Sequence, residues 1–140
     1  MSGDRRVVWV GRVAVLTLPA EIDVSSADQI REDLAEAVAQ DASLVIADMS
    51  ATTFCDSAGV TALVKTAQRA YASGAGLRVV ATAPAVTRVL AITGVDQLID
   101  IYPSVAAAMS DPGNDAAGQD RIRRGPAGQA EPEGRAPQPG

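Results

Sequence analysis

Apolar and polar positions along this chain recur with two different periods, and the switches between them mark its elements. "RVVWV" and "RVAVLTL" are short β-branched runs that meet at Gly11-Arg12, the signature of a hairpin. Trp9 reads as a packing residue on the first of them. "AEIDVSS" keeps neither period and reads as a loop. In "SSADQIREDLAEAVAQ" the apolar residues Ala27, Ile30, Leu34, Ala37 and Val38 recur at helical spacing, and Ser26 with Gln29 fits a capping box. "SLVIADMS" is a continuous apolar run, as expected of a strand covered on both faces. After "ATTFCD", read as a loop, "AGVTALVKTAQRAYASGAG" is helical again. There Val60, Leu63, Val64, Ala67 and Tyr71 share an inward face, Thr61, Lys65 and Gln68 face out, and Gly74 and Gly76 stop the helix. "LRVVAT" is a second buried strand, "PAVTRVLAITG" a helix with Pro84 at its start and Gly94 at its end, "LIDIY" a short last strand, and "PSVAAAM" a short helix capped by Ser104.

The predicted order is β-β-α-β-α-β-α-β-α, an α/β fold with an N-terminal β-hairpin and a mixed, mostly parallel sheet. Helices separate the later strands, so their crossovers are right-handed. Chemistry in such sheets gathers at the carboxyl ends of the strands. Here that place is the passage from "SLVIADMS" through "ATTFCD" to the helix that starts at Ser57.

Composition limits what this fold can hold. The chain has 140 residues, enough for one domain, and its 47% hydrophobic content supports a sizeable core. Aromatic residues make up only 3%, so that core must be Val, Ile, Leu and Ala, which suits layered α/β packing. The pattern stops at Ser110. From Asp111 the chain is rich in Gly, Pro and Ala, with Ile122 its one large aliphatic residue, too little apolar surface to offset the entropy of ordering. The expectation is a folded domain over residues 1–110 and a disordered tail over 111–140. Within the tail, "RIRR" reads as solvated. Acidic and basic residues cancel over 112–140, so the net charge of −5 belongs to the folded part.

That acidity argues against a nucleic-acid surface, which needs clustered Lys and Arg; Lys65 is the one lysine. The chain has no histidine, which rules out His-based triads, phosphohistidine relays and His metal sites. Cys55 stands alone and cannot form an internal disulfide, so a reducing cytoplasm is the expected location. The opening "MSGDRRVVWV" lacks the apolar core and cleavage site of a signal peptide, and no apolar run is long enough to span a membrane.

The segment Cys55-Asp56-Ser57-Ala58-Gly59 puts an acid and a hydroxyl where a strand-like run gives way to a helix. Asp56 or Ser57 serves as an N-cap on the simplest reading, with Gly59 letting the first turn pack closely. The same geometry exposes a hydroxyl at the positive end of a helix dipole. A phosphoryl group there would add roughly −1.5 to −2 charges. The dipole would favour that charge by about 0.3–1 kcal/mol, so the domain would stay folded while its surface changed. Asp23, Glu21 and Asp48 admit two readings as well: local turn and cap acids, or one acidic pocket around Ser57. Cys55 reads as a small buried hydrophobe, because a reactive thiolate wants a cationic neighbour and Asp56 is an anion. "GAG" at 74–76 is a helix stop, and no phosphate-loop pattern is present.

"VIADMSATTFCDSAGVTALV" resembles the core signature of the STAS-domain anti-sigma factor antagonists: an acidic strand end, a short loop, Asp-Ser-(Ser/Ala/Thr)-Gly and an aliphatic helix. "PAEIDVSSADQIREDL" is similar to that family's Gly-Glu-(Leu/Ile)-Asp segment, and "PAVTRVLAITGVDQLIDIYPSVAAAM" to its closing Pro-x-Val-x-Arg-x-Leu-x-x-(Thr/Ser)-Gly segment. The three motifs stand in the family's order over roughly residues 6–110. The resemblance implies a STAS fold and a non-enzymatic, partner-switching regulator without a cofactor of its own. In that family the unphosphorylated antagonist binds an anti-sigma factor that is also its serine kinase, of the GHKL type. The kinase uses ATP and magnesium to phosphorylate the serine and thereby releases the antagonist, and a PP2C-type phosphatase resets it. Carried over, Ser57 is the phosphorylated residue, and Glu21, Asp23, Asp56, Ser57, Ala58 and Gly59 form the partner-binding site. Ala20 replaces the family's glycine before Glu-(Leu/Ile)-Asp, and Ala58 replaces a frequent second serine, which removes a competing acceptor.

Other classes stay in view. The fold also serves as an accessory module of transporters and as a stressosome scaffold. A nucleotide hydrolase built on the acids would want a lysine near a phosphate loop, which is absent. A receiver domain would want an acid pair after the first strand and a lysine after the last, whereas the chain has "VWVGR" and "LIDIYPS".

Overall fold

The computed structural model describes residues 6–110; the chain start and the expected tail over 111–140 lie outside the described residues. Strands β1 (Arg6–Val10) and β2 (Val13–Thr17) form the expected hairpin, with Val10 opposite Val13 and Gly11 at φ 60 in the tight turn, a conformation that favours glycine. Strands β4 (Leu44–Asp48), β6 (Gly76–Val80) and β7 (Asp100–Tyr102) then add in parallel, giving the sheet order β1-β2-β4-β6-β7. Helices α1 (Val24–Ala39), α2 (Ser57–Ala72) and α3 (Pro84–Ile92) bury their apolar sides in one core with Leu16, Val45 and Val79. The short helix α4 (Val105–Ser110) belongs to a second core with Val15, Ile46 and Val80. Leu44 through Ala47 are buried, as the unbroken apolar run of β4 requires of a strand with helices on both sides.

Arg78, in β6, is 2% exposed. Its guanidinium donates to the carbonyl of Ala108 in α4 and lies 5.5 Å from the centroid of the Tyr102 ring. A buried cation is tolerated there because a helix-end carbonyl and an aromatic face replace water.

Several local expectations change. "AEIDVSS" is not a plain loop: it contains strand β3 (Glu21–Ile22), and α1 begins at Val24. The capping box is Asp23 with Ser26, because Asp23 sits three residues before Ser26 and reaches the first free N–H groups. Gln29 instead donates to Asp33 at 2.8 Å. "ATTFCD" likewise contains strand β5 (Phe54–Cys55). Both strands are two residues long, below what a period-2 pattern can reveal. Gly76 opens β6 rather than ending α2, whose chain reversal uses Gly74 at φ 80. Along α2, Ala62, Thr66 and Ala70 are buried while Val64 and Tyr71 are only half-buried, since the adjoining α1 claims the side that carries the small residues. Trp9 is 39% exposed rather than packed away, because β1 is the edge strand. A 3-10 turn (Val95–Gln97) follows Gly94 at φ 82.

Candidate functional site at two adjoining helix starts

The site is built by the two shortest strands. β3 and β5 pair in parallel, Glu21 with Phe54 and Ile22 with Cys55. The N–H of Thr53 donates to the carbonyl of Ala20 at 2.8 Å, and that of Asp56 to the carbonyl of Ile22 at 3.0 Å. Each strand runs straight into a helix through an aspartate, so Asp23 and Asp56 stand one ladder step beyond Ile22 and Cys55. The helices α1 and α2 therefore start side by side.

Both aspartates are N-caps. The carboxylate of Asp23 accepts from the N–H of Ser25 at 2.9 Å and from its hydroxyl at 2.5 Å, while the Asp23 N–H donates to the Ser26 hydroxyl at 3.1 Å. The Ser25 hydroxyl, and after it the Ser25 N–H, hold the Asp23 carboxyl below its ordinary value of 3.8. The carboxylate of Asp56 accepts from Ala58 N–H at 2.9 Å and Gly59 N–H at 3.4 Å. Ser57 is the first residue of α2 and is exposed. The choice left open by the sequence, Asp56 or Ser57 as cap, falls to Asp56, and the Ser57 hydroxyl is not used for capping.

The remaining expected residues take different places. Glu21 is exposed at the start of β3, one pair before Ile22. Ala58 lines a groove of about 370 Å³ between α1 and α2, together with Val24, Ala27, Arg31, Thr61 and Lys65. Gly59 is buried: a Cβ there would lie 2.6 Å from Cys55 Sγ and 2.7 Å from Ile22 Cγ2. Cys55 is 3% exposed, and burial, then the charge of Asp56, raises its thiol to about 11, which agrees with an inert packing role. Asp48 belongs to the main sheet, where its carboxylate accepts from the N–H of Ser50 at 3.0 Å. Among the described residues no three His, Cys, Asp or Glu side chains come together as a metal site, and no helix is long and apolar enough to cross a membrane.

Sequence reasoning missed two side chains at this place. Val24, 76% exposed, follows the Asp23 cap, and Phe54, 50% exposed, lies two residues before Asp56. A large apolar residue beside a polar junction and off the helical stripe was the available signal.

The STAS domain family matches over residues 5–108. Among solved structures, an anti-sigma factor antagonist from Mycobacterium paratuberculosis is 29% identical, with a TM-score of 0.67 over 75% of this chain and 89% of that one. The Bacillus cell fate determinant SpoIIAA in its phosphorylated form is 21% identical, with a TM-score of 0.59 over 75% of this chain and 96% of its own. The murine anion transporter Slc26a9 is 20% identical, with a TM-score of 0.59 over 80% of this chain but 18% of the transporter.

Proposed function

The chain belongs to the STAS domain family, and from that premise we propose that it is an anti-sigma factor antagonist switched by phosphorylation of Ser57. The observation that carries this reading is the division of labour at the start of α2. Asp56 satisfies the Ala58 and Gly59 N–H groups, so the exposed Ser57 hydroxyl has no structural duty there. The similarity to an anti-sigma factor antagonist at 29% identity supports the same role.

The partner is an anti-sigma factor that is also a GHKL-type serine kinase. It docks on the face that presents Asp23, Asp56, Ser57 and Ala58, with Glu21 at its margin. The Ser57 oxygen attacks the γ-phosphorus of the kinase's magnesium-bound ATP. A bond from that oxygen to phosphorus forms, the bond from phosphorus to the β–γ bridging oxygen breaks, ADP leaves, and the hydroxyl proton passes to a base of the kinase or to water. The product places a dianion beside Asp56. Docking that dianion against a surface that accepted a neutral hydroxyl must desolvate the phosphate, and at an effective dielectric of about 20 each like charge brought to ~5 Å across the contact adds ~3 kcal/mol of repulsion, which opposes a close contact. A PP2C-type phosphatase restores the serine. In this scheme the chain is a substrate and a ligand, not an enzyme, and it acts in the cytoplasm.

Incubation with candidate anti-sigma kinases, magnesium and ATP, followed by mapping of the phosphate, tests the proposal. Label on Ser57, absent from Ser57→Ala, is the expected result; label elsewhere, or none with any kinase of the host, overturns it. A second reading, an accessory module of a transporter, is favoured by the shared fold with part of Slc26a9. Co-purification with a transporter subunit in place of a kinase would decide for it.

A further inference from the structure

We infer that Cys55 and Ile22 form a seat beneath Gly59 that sets where the Ser57 hydroxyl stands, making Cys55 a positioning residue for phosphoryl transfer. This inference rests on the reading of Ser57 as the phosphoryl acceptor.

The first turn of α2 is held in two ways. The Asp56 carboxylate caps it from the solvent side. From below, Gly59 rests on the β3–β5 pair, so closely that a Cβ would fall 2.6 Å from Cys55 Sγ and 2.7 Å from Ile22 Cγ2. Comfortable contact between such atoms is about 3.5–4.0 Å. Neither seat residue has room to retreat: Ile22 is 1% exposed and Cys55 3%, and Ile22 is branched at Cβ. Any bulk added at this contact must therefore lift the turn, by something on the order of 1 Å. Ser57 precedes Gly59 by two residues on the same turn and moves with it. The seat also ties the two helix starts together, because Ile22 adjoins the Asp23 cap and Cys55 adjoins the Asp56 cap. A thiol is thus used as a small spacer, its size fixing the height of α2.

Phosphoryl transfer depends steeply on such placement; a displacement of about 1 Å can cost about 100-fold. The test compares the full-length parent with Gly59→Ala, Cys55→Val, Cys55→Ala and Cys55→Ala/Gly59→Ala. One readout is phosphorylation by the anti-sigma kinase that labels the parent, with the rate at saturation separated from KM. The other is the NMR shift and hydrogen exchange of the Ser57 and Ala58 amides, which keep their residue type in every variant. Gly59→Ala and Cys55→Val should lose roughly 100-fold in the saturating rate, with the two amides displaced and the Ser25 amide on the Asp23 cap protected as in the parent. Adding Cys55→Ala to Gly59→Ala removes the Sγ contact and leaves Ile22 Cγ2 at 2.7 Å from the added Cβ, so it should recover part of the rate and return the amide shifts part of the way to the parent's. A merely structural role would lower stability while leaving the saturating rate per folded molecule at the parent's value.

The inference is overturned if Gly59→Ala and Cys55→Val keep the parent's rate and amide shifts, or if the double variant is no faster than Gly59→Ala. Should Gly59→Ala fail to fold, Cys55→Val decides by the same criteria. If no kinase labels the parent, the functional reading fails on its own, and the amides still decide: displacement in the single variants that is partly reversed in the double variant upholds the seat, and shifts that stay at the parent's values or show no reversal reject it.

Discussion

Replacing Asp56 by alanine removes the acceptor for the Ala58 and Gly59 N–H groups. Loss of an N-cap costs about 0.5–2 kcal/mol, so urea unfolding of Asp56→Ala should show a lower midpoint with an unchanged slope, while Ser57→Ala stays near the parent. Cys55 yields a pH prediction. Its thiol is raised to about 11 from 9.0, so the folded state holds the proton more tightly than the unfolded chain. The stability linked to it is complete below pH 9 and is lost as pH rises toward 11. Cys55→Ala should lower stability at neutral pH, through lost packing, yet flatten the decline over that alkaline range relative to the parent. Thiol alkylation at pH 8 should be slow until denaturant is added. Asp56 could be named from the sequence as a cap candidate. Its sharing of the junction with an idle Ser57 hydroxyl could not, because capping is settled by side-chain reach within a fraction of an ångström.

At the scale of elements, α4 offers a test of how six residues stay docked. A helix so short has no stability of its own in water, and here Arg78 ties it down through the Ala108 carbonyl while Tyr102 covers the guanidinium. Arg78→Met keeps much of the side-chain bulk and removes the charged donor. A hydrogen bond to a charged group contributes about 1.5–3 kcal/mol, so Arg78→Met should unfold at correspondingly lower denaturant and should show faster amide exchange in α4 than in α2. The long elements were legible because apolar spacing repeats over several turns in α1 and α2 and runs unbroken through β4. The pair β3 and β5 was not legible. Two residues carry no period, and each strand exists only because the other lies beside it.

For the whole molecule, the described core runs from Ala14 to Ala108. Residues 111–140 carry too little apolar surface to offset the entropy of ordering, and on that composition a chain ending at Ser110 should unfold at the same denaturant concentration as the full chain. Ser57→Asp should also keep the unfolding midpoint within the range of other surface substitutions, about 0.5 kcal/mol, while weakening binding to the proposed anti-sigma kinase. Retained stability with lost binding is the signature of a surface switch; a large fall in stability would place the effect in the fold instead.

By itself the sequence determined the α/β class, the hairpin, the parallel order of helices and strands, and the motif around Ser57. These follow from local periodicity and from residue types whose conformational preferences act over a few neighbours. Only the tertiary structure decided that Asp23 and Asp56 cap helices starting side by side, that Arg78 anchors the last helix, that Trp9 lies open at a sheet edge, and that Gly59 is seated on Cys55 and Ile22. The paired helix starts, the anchor on the last helix and the seat under Gly59 depend on residues far apart in the chain, Ile22 with Cys55 and Gly59, and Arg78 with Ala108, meeting at contact distance, and the exposure of Trp9 depends on which strand ends the sheet; neither leaves a period in the sequence to be read.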